Sequence, residues 1–79
     1  MNIADQLKRA NLIYDTRLRS ELERTHPDFF VAIEPESGDY FLGETLSEAA
    51  EAAGKFHVKS RTCIMRVGHQ AALHIGAVS

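Results

Sequence analysis

Ile3, Leu7, Ala10, Tyr14, Leu18 and Leu22 recur at intervals of four, three, four, four and four, which is the stripe of an amphipathic helix. Asn2 is placed to cap its start, and Asp5 lies in the first turn, where a carboxylate complements the helix dipole. Asn11 and Asp15 are weaker helix formers, so a break near Asp15 is a second way to read the stripe. Arg17 with Glu21, and Arg19 with Glu23, stand four residues apart on the polar face. His26-Pro27 ends the helix, because proline pushes the residue before it out of the α region.

The period then changes. Phe29 to Ile33 is an unbroken apolar run rich in aromatic and β-branched residues, which predicts a central strand covered on both faces. Pro35-Glu36-Ser37-Gly38-Asp39 is a dense turn signal, and Tyr40-Phe41-Leu42 returns as an antiparallel partner. Thr45-Leu46-Ser47-Glu48 matches a capping box. Leu46, Ala49, Ala50 and Ala53 give the helix behind it a narrow apolar stripe for close packing, with Gly54 as its stop.

Residues 55–61 read as a basic connector or short edge strand. Cys63, Met65 and Val67 then alternate with Ile64 and Arg66, Gly68-His69-Gln70 is a turn, and Ala71, Leu73, Ile75 and Ala77 alternate through a last strand. The expected architecture is α+β in the order α-β-β-α-β-β, with two helices packed on a small antiparallel sheet; a β-grasp-like arrangement is the alternative. Residues 1–79 are expected to form a single domain.

Composition narrows the function classes. At 79 residues, 44% hydrophobic and 25% charged, the chain reads as one ordinary globular unit with a small core. A second copy or a partner would relieve that shortage of buried surface. One cysteine, Cys63, excludes an intramolecular disulfide and fits a reducing cytoplasm. Asp5, Lys8 and Arg9 interrupt any signal-peptide apolar region, and no apolar run is long enough for a membrane span, so no membrane is expected.

Charge is unevenly distributed. Residues 1–53 hold all eleven acids and five bases, whereas residues 54–79 hold Lys55, Lys59, Arg61 and Arg66 with no acid. Lys55, His57, Lys59 and Arg61 form a candidate basic patch with Phe56 available to stack, but a pI near 6.0 argues against nucleic acid as the partner. His57, Cys63, His69 and His74 offer zinc-type ligands without the close pair such sites use, and no cofactor motif is present. Glu34, Glu36 and Asp39 could be read as paired carboxylates, but around a turn they are more simply a solvated tip.

The remaining feature is apolar surface. Ile64, Ala71, Ala72, Leu73, Ile75 and Val78 exceed what one short helix covers, which makes Ile64, Arg66, Ala72, His74 and Val78 the expected partner or dimer surface. A non-enzymatic interaction module, homo-oligomeric or bound to a small protein partner, is the expected function. A small ligand- or metal-responsive accessory using the C-terminal histidines is the alternative.

Tyr14-Asp15, Leu18-Arg19, Leu22-Glu23, His26-Pro27, the run from Phe30 to Tyr40, Leu42-Gly43, Thr45-Leu46-Ser47-Glu48-Ala49 and Arg66-Val67-Gly68-His69 carry a resemblance. Together they resemble a group of small bacterial proteins, common in cyanobacteria and frequently encoded beside retropepsin-like proteases. The resemblance implies function in a pair and assigns no residue a role. Those relatives usually have a longer stretch where this chain has Gly54-Lys55-Phe56-His57. The hairpin followed by Gly43-Glu44-Thr45-Leu46-Ser47-Glu48-Ala49 is also similar to antitoxins of the HicB type, which implies an antitoxin-like or regulatory role.

Overall fold

The computed structural model describes residues 2–57 and 62–68 and the backbone of 72–74. A long N-terminal helix runs from Ile3 to Thr25 in three parts: α1 (Ile3–Ile13), a π-helical segment (Tyr14–Leu18) and α2 (Arg19–Thr25). Asn2 caps it as the sequence predicts, its side chain accepting from the Asp5 N–H at 2.8 Å.

No break occurs at Asp15; the helix widens there instead. The spacing of Ala10, Tyr14, Leu18 and Leu22 explains why. At about 100° per residue, four residues overshoot a full turn by about 40°, so a regular helix would carry this stripe round its axis. Wider π turns rotate less per residue and hold Tyr14, Leu18 and Leu22 on one line. All four side chains are buried in one cluster. The helix ends at Thr25, one residue before His26-Pro27, and Asp28 takes a positive φ of 66° as the chain turns into the sheet.

Three four-residue strands make an antiparallel sheet in the order β2-β1-β3: β1 (Phe30–Ile33), β2 (Tyr40–Gly43) and β3 (Cys63–Arg66). Helix α3 (Leu46–Gly54) lies between β2 and β3 in the chain. Two expectations are corrected here. The body of the fold has the order α-β-β-α-β; of the expected last strand from 71 to 77, the described Ala72–His74 pairs antiparallel along the outer side of β3. The remainder of that expected strand lies outside the described residues. The β-grasp alternative fails because every pairing is antiparallel, including that of β1 with β3.

β1 is the central strand, and Val31, Ala32 and Ile33 have no exposed surface. The alternation of side chains sends Val31 and Ile33 to the long helix, where they join Cys63, Met65 and Val67. Ala32 and Ile64 meet Ala49 and Ala53 of α3 on the other face. Gly43 permits that close approach, since a Cβ there would lie 2.7 Å from Glu48 Cβ and collide with the Ala49 nitrogen. The predicted capping box forms with a shift. Thr45 Oγ1 accepts from the Glu48 N–H at 3.1 Å, while Glu48 Oε1 accepts from the N–H of Glu44, one residue before the cap. Helix α3 runs through Gly54 and is capped by Lys55 in the αR region.

Candidate interaction surface

The first hairpin is closed by its own acids. Glu34, buried, accepts at its carboxylate from the N–H groups of Glu36 (2.6 Å) and Ser37 (3.4 Å), and Gly38 takes φ +80°. Asp39 reaches across to His57 Nε2 at 2.9 Å. These acids are therefore occupied in holding the turn and in fastening the segment after α3 to it.

The hydrogen-bond alternation of β1 decides what β2 presents. Glu34 N–H donates to Asp39 O (2.9 Å), and Val67 N–H donates to Phe29 O (2.7 Å). Even residues of β1 thus bond to β2 and odd residues to β3, so Phe41 and Gly43 face inward while Tyr40 and Leu42 direct their N–H and C=O groups outward. Among the described residues nothing pairs with that outer edge. An unpaired edge is a template for another strand.

Aromatic surface flanks this edge. Phe56 is 71% exposed and stacks on Phe41 with ring centroids 5.5 Å apart and planes 9° from parallel. Tyr40 is exposed on the opposite face of the strand. A groove of about 420 Å³ runs between Arg17, Gly38, Asp39, Tyr40, Phe41 and Phe56. Arg17 is not paired with Glu21. Its guanidinium lies over the hairpin tip, 2.8 Å from where a Gly38 Cβ would stand, and among the described residues it has no ion pair. Arg19, by contrast, bridges Glu23 (3.2 Å) and Asp15 (3.6 Å).

A second cleft, of about 370 Å³, opens beside the π segment and is lined by Asn11, Tyr14, Asp15, Arg19, Glu23, Met65 and Gly68. The Tyr14 hydroxyl donates to Glu23 Oε2 and accepts from the Gly68 N–H, each at 3.3 Å. Burial pushes the Tyr14 pKa upward, so the hydroxyl stays protonated and joins helix to turn.

The residues singled out from sequence are dispersed. Ile64, expected on a partner surface, is 1% exposed and sits under α3, because small alanines let that helix come close enough to cover it. Arg66 is exposed and lies over the Phe30 ring, 5.6 Å from its centroid. Ala72 and His74 lie in the short outer pairing, and Val78 lies outside the described residues. Of the basic patch, Lys55 is exposed and His57 is bound to Asp39, while Lys59 and Arg61 lie outside the described residues.

Cys63 is buried in the long-helix core, and burial together with the Glu34 charge raises its pKa to about 11. A thiol so placed is a core side chain rather than a nucleophile. Among the described residues no three His, Cys, Asp or Glu side chains are grouped to hold a metal, and no helix is long and apolar enough to cross a membrane. Position 69 lies outside the described residues.

The sequence carried one unused sign of the aromatic surface. Phe56 follows the Gly54 stop inside a polar segment, with no place in any periodic stripe. Comparison with family models, with curated proteins and with solved structures finds no match.

Proposed function

We propose that this chain is a non-enzymatic protein-interaction module that binds another polypeptide along the outer edge of β2. One observation carries the reading: Phe56, 71% exposed and stacked on Phe41, stands beside a strand edge whose outward hydrogen-bonding groups have no partner among the described residues. Edge addition supplies affinity through the main chain and specificity through side-chain pockets, and the groove beside Arg17 and Tyr40 is such a pocket. An antitoxin-like or regulatory role toward the product of a neighbouring gene is the specific form of this function, in keeping with the motif likenesses described above.

Co-expression with the adjacent gene's product tests it. A stable complex is expected, and Phe56→Asp is expected to abolish it while the thermal midpoint of the isolated chain stays unchanged. A complex indifferent to Phe56→Asp would move the binding surface elsewhere.

A further inference from the structure

We infer that in the free protein, before any other polypeptide is bound, the β2 edge is occupied by a second copy of this chain, paired antiparallel about a two-fold axis through Phe41. The inference rests on the interaction reading above and deepens it by naming the occupant of that edge in the free protein.

Register and charge both lead to this arrangement. The outward-facing positions within the strand are Tyr40 and Leu42. A two-fold centred on Phe41 sets each Tyr40 opposite the partner's Leu42, so that both residues exchange both hydrogen bonds and no residue outside the strand is needed. The two Phe41 residues then form the non-hydrogen-bonded pair at the centre, where side chains approach most closely. Each carries its stacked Phe56, which places four aromatic rings together on the α3 face.

Beyond the strand the ladder ends, since the Gly38 N–H is held by Glu34 O and the Glu44 N–H by Glu48 Oε1. The antiparallel two-fold still brings the hairpin tip of one copy to the end of β2 in the other, beside the partner's Glu44. Arg17 lies over Gly38 on the long-helix side of the sheet. Glu44 directly follows β2, at the end of the strand where the partner's hairpin tip falls. Neither Arg17 nor the Glu44 carboxylate has an ion pair among the described residues. The two-fold therefore brings together an unpaired cation and an unpaired anion, twice, once at each end of the paired strands. An isologous interface of this kind is self-complementary by construction.

Sedimentation equilibrium of the whole chain over a concentration series, with charge-reversed variants, tests the pairing. The wild type is expected to dimerise. Arg17→Glu and Glu44→Arg are each expected to weaken the dimer by about tenfold, and the double reversal to restore it. Phe41→Cys is expected to cross-link two copies on mild oxidation, whereas Tyr40→Cys is not. A wild type monomeric at all concentrations, reversals without effect, or no cross-link from folded Phe41→Cys would each overturn the two-fold pairing. If the wild type is monomeric yet holds the adjacent gene's product in a Phe56-dependent complex, the self-pairing fails and the interaction reading stands; loss of both overturns both.

Discussion

The two faces of the sheet are built on opposite principles. Against the long helix the contacts are made by volume: Tyr14, Leu18, Leu22, Val31, Ile33, Met65 and Val67 fill the space between helix and strands. Against α3 they are made by proximity, because Gly43, Ala32, Ala49 and Ala53 let the backbones nearly touch. The first face can lose atoms and keep its shape at an energetic cost. The second has no room to accept any. A small domain with one sheet thereby covers both sides without a large complement of bulky residues.

Removing volume tests the first face. Ile33→Ala should cost about 4 kcal/mol, since a fully buried side chain on the central strand leaves a cavity its neighbours fill only in part. Chemical denaturation measures this as a lower midpoint at constant slope. Adding volume tests the second. Gly43→Ala introduces one methyl group and should cost about 3 kcal/mol, as β2 and α3 must separate. The same substitution at Ala32 or Ala49 does not exist, so Gly43 is the sharper probe. If Gly43→Ala is neutral, the proximity account is wrong.

Titration separates the faces in another way. Cys63 belongs to the long-helix face, and its thiol ionises near pH 9.0 when unfolded but at about 11 when folded. Its contribution to stability is complete below pH 9.0 and is lost as pH rises through the folded value. Two pH units correspond to about 2 to 3 kcal/mol. Denaturation midpoints should therefore fall between pH 9 and 11, and Cys63→Val should flatten that part of the profile. Tyr14→Phe should cost about 1 kcal/mol at neutral pH through the lost bonds to Glu23 and Gly68. The smallest expected effect is at Phe56→Ser, near zero for the isolated chain because the ring is largely exposed.

The parts of this fold that were legible in the sequence are those written in local chemistry. Asn2, His26-Pro27, Gly38, the Thr45 cap and the alternation of Cys63, Met65 and Val67 each act within a few residues, and each behaves as its residue type dictates. The proposed binding surface was not legible, because it depends on which helix covers which strand. The apolar character of Ile64 does not distinguish a side chain under α3 from one awaiting a partner; the alanine stripe of α3 decides that through packing. Arg17 likewise has Glu21 within reach on its own helix, but the hairpin tip draws it across to Gly38. The exposure of Phe56 follows from where the chain leaves α3, a tertiary fact with only a faint local sign.

The π segment makes the N-terminal helix behave like a gear with one extra tooth. Excising a single residue between Tyr14 and Leu18 would remove that tooth: eleven residues at about 100° each bring Leu22 to within about 20° of the line through Ala10, so an ordinary α-helix would still turn it to the sheet. Excising two would carry Leu22 off that line by about 80° and uncouple the second half of the helix from the core. Among sequence relatives, this five-residue stretch is accordingly where the loss of one residue is expected to be tolerated and the loss of two is not.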